Sequence, residues 1–559
     1  MSISIHEKTP ETIQRRRVGE IPLLLSLSKR LGLREMLGRH IKSHGNLRIP
    51  TADSLLVLLF NMTAGRQPLY ELEQWVSGID FRLLGYPRFE EGLFNDDRFG
   101  RALDRLYEVD RASLMTEIAM TVVKAFAVDL NRIHNDSTSI KAFGRIAGTT
   151  RNGLFLHRGV SKDHRPDLKQ LVFSLTISAD GALPIHYKTY PGNRTDDTTH
   201  IETWNCLSRI TGKVDFLYVA DCKVCTEKQL SHIVGHKGRV ITVLPETWKE
   251  TKTFKTRLLD RRIPKKRIRR IPIPGRHEQY ETFSCFEGSY HTDKADYPIH
   301  WIHSSEKKKR DRQSREDALR RTEEQLAHLT GKLNTRRLKT RAQILERAGV
   351  ILDKFKVADF YHLNISEVKE RHTRQIGKGR PGGDTRYRTV LTTSYALSWI
   401  RNREALKREQ NIDGIFPILC TDSKLSAKQA LEAYKYQPNL EKRFSQFKTV
   451  HNAAPLLFKK IERVEAMMFL FFLALILQAA LEREVRLKMK KDKIDALPVY
   501  PEHRIAYHPT TAQIFDRFHD LSIYKLRDGE NVIKEYRDPL SPLHQQILHL
   551  LDIQNYWPK

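Results

Sequence analysis

Over the first 127 residues the apolar positions recur at helical spacing. Ile21 to Leu31 is amphipathic, and Thr51 to Ser54 opens an apolar helix over Leu55–Met62. Further helical stretches follow at Pro68–Trp75, Asn95–Leu106 and Ser113–Phe126. Residues 1–127 are therefore expected to form an all-helical N-terminal domain. After Ala127 the pattern changes to that of strands. Leu130 to Asp136 is a short strand ending in an acid, and Leu171 to Ser178 is a strand before the turn Ala179-Asp-Gly181. Leu183–Tyr190 is the next strand, turning at Pro191-Gly-Asn193. A helix over Asp197–Ile210 leads to the strand Val214–Ala220 and to Asp221; a helix (Thr226–Val234) and a strand (Arg239–Leu244) follow. Antiparallel strands followed by strand–helix–strand alternation predict a mixed α/β core.

From 246 to 410 this alternation breaks, and the segment reads as an insertion. It contains a dense basic run, Arg261 to Arg270, and a long charged helix from Glu306 to Lys339. Leu319, Thr322, Leu326, Leu329 and Leu333 keep heptad spacing there for about two heptads, which predicts a two-helix arm packed on itself. Gly377 to Gly383 is a basic loop without the G-x-x-x-x-G-K-[ST] order of a nucleotide loop. The core resumes with the strand Gly414–Thr421 and a helix after Ser426. The apolar run Ala466–Leu481 holds Gln478 and is flanked closely by charges, so it is expected to be a buried core helix and not a membrane span. The expected domains are thus 1–127, a core of 128–245 and 411–490, the insertion 246–410, and a tail, 491–559, of small helices and loops that makes protein or DNA contacts.

Composition narrows the function. With 40% hydrophobic residues in 559, the chain can bury more than one core, and disorder is not its default. The formal charge of +29 points to a polyanionic partner, because Lys and Arg that neutralise phosphates release counterions. Five cysteines, an odd number over a long chain, argue for a reducing compartment and against a disulfide framework.

Candidate chemistry lies in the acids. Asp136 and Asp221 each close a β-type run, where side chains can leave a sheet edge at the crevice in which α/β sheets bind ligands. Glu441, on a later helix, is a third. If that helix runs from about Asn439, Glu441, Phe444 and Lys448 share one face and set a carboxylate, an aromatic ring and an ammonium together. The same stretch also reads as an amphipathic helix with a surface Glu and Lys. Three acids can hold Mg2+, which prefers oxygen ligands and keeps waters. Asp196 and Asp197 are competing acids. Asp422 reads as a helix-start residue, His134 as a strand side chain, and Cys222-x-x-Cys225 as a single pair, weak as a zinc site.

Tyr434, Glu441 and Lys448 match the Y-x2-R-x3-E-x6-K signature of a group of bacterial insertion-sequence transposases, with Gln437 in the Arg position. Asn135 to Thr138 resembles that group's first acidic motif and Tyr218 to Asp221 its second; Ser161–Gln170, Pro191–Asn193, Gly414–Phe416 and Pro68–Trp75 resemble further stretches. The chain therefore resembles a DDE transposase, and the resemblance implies an RNase H-like mixed-sheet α/β core with a large insertion after a helical DNA-end-binding domain. It implies that Asp136, Asp221 and Glu441 bind two Mg2+ ions, for which Mn2+ can substitute. Tyr434, Gln437 and Lys448 would contact DNA, Gln437 with hydrogen bonds but no charge. The implied activity is binding of terminal inverted repeats, metal-dependent strand cleavage and strand transfer into double-stranded target DNA. A homodimer on two synapsed ends, in the cytoplasm with the nucleoid and without a membrane partner, goes with it. Two other readings remain open: another RNase H-like nuclease or integrase, and a non-catalytic, domesticated DNA-binding protein.

Overall fold

The computed structural model describes residues 12–554 and 557, except 43–46, 144, 145, 147, 160–166, 195–197, 274–277, 336, 451–457 and 530. The chain divides into two compact units, residues 1–242 with 432–559, and residues 243–431. The first carries strands β1 (Thr12–Arg17), β2 (Arg132–Lys141), β3 (Gln170–Ser178), β4 (Pro184–Pro191), β5 (Leu217–Val219), β6 (Arg239–Val243), β13 (Ser522–Asp528) and β14 (Asn531–Arg537). The second carries β7 (Lys265–Pro272), β8 (Tyr280–Phe286), β9 (Ile299–Ser304), β10 (Tyr361–Gln375), β11 (Tyr387–Arg401) and β12 (Ile415–Cys420).

The first unit is built around the helix Ile461–Lys491. Its side chains are apolar on every face from Ala466 to Leu477, so only burial all round satisfies it. It is long and apolar enough to cross a membrane, yet its apolar stretch is wholly buried inside the protein. The N-terminal helices Ile21–Arg30, Thr51–Phe60 and Asp96–Glu108 pack on it, as does β4, and one continuous hydrophobic core includes all of them. Asn95 starts Asp96–Glu108 by accepting the Arg98 amide at 3.0 Å, and Asp110 caps Arg111–Ala125 in the same way. Because these helices and the sheet share one core, residues 1–127 do not separate from the rest of the first unit. That segment is also not all helical: β1 pairs antiparallel with β13, which in turn pairs with β14. The C-terminal tail thus carries a strand pair as well as helices.

Polar groups cross this core as ion pairs. Arg111 meets Glu465, and Arg443 meets Glu482 at 2.9 Å, all four side chains being buried. Arg483 reaches Asp180 at 2.6 Å. Such pairs add little net stability over apolar packing, but breaking one partner leaves a buried charge.

In the first unit the strand order is β4-β3-β2-β5-β6. β2, β3 and β4 form an antiparallel meander, whereas β5 is parallel to β2 and β6 parallel to β5. Helices His200–Thr211 and Glu227–Gly235 make the crossovers. This is a mixed α/β arrangement, with antiparallel strands first and alternation after.

In the second unit β12-β9-β8-β7 are neighbours in that order, with β7 at the edge. The charged helix ends earlier than its sequence suggests, at Thr330, and a second helix, Arg341–Lys354, packs on it through Leu319, Leu326, Leu329, Ile344 and Leu352. The two-helix arm is joined by the antiparallel pair β10–β11, fifteen residues on each strand, and Gly377–Gly383 lies in the connection at its tip.

Candidate functional site

Asp136 sits in mid-strand, not at a strand end, because Ser137 to Lys141 continue β2 by pairing with β3. The end that matters is that of the neighbour. β5 stops at Val219, which lies opposite His134 in the parallel register. Asp136 and Asp221 therefore each lie two residues beyond the last pair, on the side where β5 has ended. Asp221 keeps an extended backbone and caps the short turn Cys222–Val224, accepting the Lys223 amide at 3.0 Å. Its carbonyl accepts the Thr242 hydroxyl at 2.7 Å, which holds it against β6. The Asp136 carboxylate accepts the Ser137 amide at 2.7 Å.

Glu441 stands exposed on the helix Pro438–Ser445, whose Pro at the first turn lacks an N–H that would go unpaired there. Gln437, just before that helix, is only 9% exposed. The His134 imidazole donates through Nδ1 to the Gln437 Oε1 at 3.0 Å, and the Gln437 Nε2 donates to the Asn135 carbonyl at 3.2 Å. The amide expected to contact DNA is thus engaged by β2, one and two residues before Asp136. Since side chains alternate along a strand, His134 and Asp136 share a face of β2. Arg443, which sequence reasoning passed over, clamps the same helix from below: it donates to the carbonyls of Gly181 and Ala182 at 3.1 Å each and to Glu482.

Phe444 faces the core, 7% exposed, so it does not share the solvent face of Glu441. After Ser445 the helix widens into a π turn, Gln446–Val450. Phe447 anchors it by stacking on Phe173 of β3 at 4.5 Å, and Lys448 follows, half-buried. The expected single face of Glu441, Phe444 and Lys448 is therefore broken by packing: the aromatic ring of the set goes inside.

Tyr434 lies within electrostatic reach of all three acids. Burial pushes its phenol up to about 12, and the negative charges of Asp221, Cys222, Asp136 and Glu441 push in the same direction. One phenol thus senses all three sequence-selected acids, which come from β2, from the end of β5 and from a helix more than 200 residues later. It stays protonated at neutral pH and can donate a hydrogen bond. Among the described residues, no three His, Cys, Asp or Glu side chains gather closely enough to cage an ion by themselves. In chemistry alone, three carboxylates would offer only oxygen donors, the kind that Mg2+ or Mn2+ prefers. Asp196 and Asp197, and the stretch 161–166, lie outside the described residues. Asp422 accepts the Lys424 amide at 3.0 Å, in the turn before the helix Ala427–Tyr434.

No curated protein sequence matches the chain. Among solved structures, one similar chain belongs to the cryo-EM structure of a piggyBac transposase synaptic complex with hairpin DNA. It is 10% identical, with a TM-score of 0.28, over 52% of this chain and 66% of that one, so this chain spans just under two thirds of its length. Residues 13–120, which hold β1 and the first helices, match the family model described as a domain of unknown function, DUF4277.

Proposed function

We propose that the chain is a DNA transposase of the DDE type, with Asp136, Asp221 and Glu441 as its metal-binding acids. The observation that supports the reading is the matching placement of Asp136 and Asp221, each two residues past the last β2–β5 pair, with Glu441 also within electrostatic reach of the same Tyr434 phenol. The meander-then-alternation order of the first unit's sheet supports an RNase H-like core. The formal charge of +29 suits a polyphosphate substrate.

When bound, Mg2+ would make a water oxygen nucleophilic and stabilise the leaving oxygen. The protein's own groups do the rest. Asp136, on β2, and Asp221, just past the end of β5, would hold the ions with Glu441, which the ties of Gln437 and Arg443 position. The protonated Tyr434 donates to a phosphate oxygen, and the Lys448 ammonium offsets its charge. In the first reaction a water oxygen bonds to phosphorus, the bond to the 3′ oxygen breaks, and the ends are a 3′-hydroxyl and a 5′-phosphate. In the second, that 3′ oxygen bonds to a target phosphorus and a target 3′-hydroxyl departs, so one phosphodiester replaces another. Terminal inverted repeats would be the bound ends, two of them synapsed by a homodimer.

The test is cleavage of a labelled duplex carrying the inverted repeats that flank the coding region, in Mg2+ and in Mn2+. Asp136→Asn, Asp221→Asn and Glu441→Gln are each expected to abolish cleavage while leaving duplex binding intact. Full activity in these variants would sink the triad. Simple hydrolysis without strand transfer would favour another nuclease, and binding without cleavage a domesticated protein.

A further inference from the structure

In the second unit, helix Lys249–Asp260 runs out into Arg261 and Arg262, β7 begins at Lys265, and Lys308 stands near the start of helix Ser305–Thr330. These four cations line one cleft of about 390 Å³, together with Phe286 and His303. Two acids also line it, and each has its own partner. Asp413 takes both arms of Arg315 at 2.7 Å, and Asp260 takes Arg408 at 3.1 Å. Among the described residues none of the four cations has an ion-pair partner.

The crowding is felt. Burial lowers the pKa of Lys265, and the like charges of Lys308 and Arg262 lower it further. Burial, followed by the charges of Lys265 and Lys308, holds His303 near 4, so it is a neutral imidazole at physiological pH. A cleft that gathers cations and leaves them unpaired is relieved by an anion. Its surroundings favour a chain of anions over a single one. From Lys265 the charge continues along β7 as Lys266, Arg267 and Arg270, all exposed, and β7 is an edge strand open on its outer side. Lys265 also lies over the Phe286 ring at 5.5 Å and Arg270 over Tyr280 at 3.7 Å, contacts that hold these long side chains in place.

We propose that the cleft of Arg261, Arg262, Lys265 and Lys308, continued along the outer edge of β7, is a binding site for the phosphate backbone of duplex DNA. It rests on the reading of the chain as a protein that acts on DNA, but it needs none of the three acids. It positions the duplex without reading its sequence, because it touches phosphates alone.

The experiment is a salt titration of duplex DNA binding by fluorescence anisotropy, on the full chain. The slope of log K against log salt is expected to fall by about 3 to 4 when all four cations are replaced by alanine, at about 0.9 for each phosphate no longer neutralised. Lys308→Ala alone is expected to lower it by about 1. The charge-keeping pair Lys265→Arg with Lys308→Arg should retain the wild-type slope. The thermal midpoint of the fourfold variant should hold or rise, since repulsion has been removed. A wild-type slope in the fourfold variant overturns the site, and so does a slope that falls on duplex RNA but not on DNA. Asp136→Asn separates the two ideas. Loss of cleavage there with an unchanged slope in the fourfold variant keeps the transposase and discards the cleft. Mg2+-dependent cleavage that survives Asp136→Asn, beside a reduced slope in the fourfold variant, does the reverse. A wild-type chain that binds no duplex discards both.

Discussion

His134 and Gln437, 303 positions apart in the chain, meet inside the first unit in a 3.0 Å hydrogen bond that ties β2 to the start of the Glu441 helix. The imidazole is held near pKa 4, first by burial, so the bond joins two neutral groups. This accounts for an uncharged residue where the signature has Arg. A guanidinium at 437 would set a buried charge against a neutral imidazole in place of this bond.

Gln437→Arg is accordingly expected to destabilise the protein by about 3 kcal/mol or more, the order of cost of an unpaired buried charge. Urea denaturation midpoints of the two proteins measure this directly. A variant of wild-type stability with tighter DNA binding would show that residue 437 faces the substrate after all.

Tyr434→Phe removes the one hydroxyl on which the charges of all three acids act. Strand cleavage should slow by about 10²-fold, the typical loss for one positioned donor. Folding, followed by circular dichroism, should not change. An unaltered single-turnover rate would remove Tyr434 from the site.

Arg443→Met leaves Glu482 buried and short of its main counter-charge, at an expected cost of about 3–5 kcal/mol. Glu482 keeps the Thr511 amide and the Gln446 side chain, at 3.1 Å each. Adding Glu482→Gln should recover much of the loss, and a double-mutant cycle on denaturation free energies reads the coupling.

His186 on β4 is fully buried and held near 4, by burial and then by Lys188. The unfolded chain takes up its proton near the ordinary value of about 6.5. The folded state therefore binds fewer protons in between, and stability present above 6.5 is lost as pH falls toward 4. The limiting slope is about 1.4 kcal/mol per pH unit for one such group. Melting temperatures of the wild type and of His186→Gln between pH 7 and 4.5 should converge as the pH drops. Parallel curves would mean that His186 titrates normally.

Much of this was legible from residues alone, and for physical reasons. Ala466–Leu481 is apolar on all faces, which leaves only burial. Val214 to Ala220 read as a strand before Asp221 because β-branched and aromatic side chains crowd together, and the structure keeps its centre, Leu217–Val219. The continuation of β2 past Asp136 was hidden by Ser137-Thr-Ser139, whose small polar side chains suit turns; pairing with β3 decides it. The β10–β11 pair was missed because most of both strands is exposed, so no apolar alternation marks them. The inward turn of Gln437 and the Arg443–Glu482 pair depend on partners 39 to more than 300 residues distant, which leave no local signature.

The pairing of β1 with β13 has a consequence in time. Thr12–Arg17 meets its partner only after Ser522–Asp528 has been made. At about 5–20 residues per second of synthesis, that is a wait of about 25 to 100 s on the ribosome, during which residues 243–431 can fold as a unit of their own. Through that interval only the end of β1 is held, by the bonds of Arg16 and Arg17 to residues 77–80, and the rest of the strand keeps an unsatisfied edge. Its three consecutive arginines, Arg15 to Arg17, discourage pairing with the wrong strand, or with the nascent chain of a neighbouring ribosome, until the right one emerges.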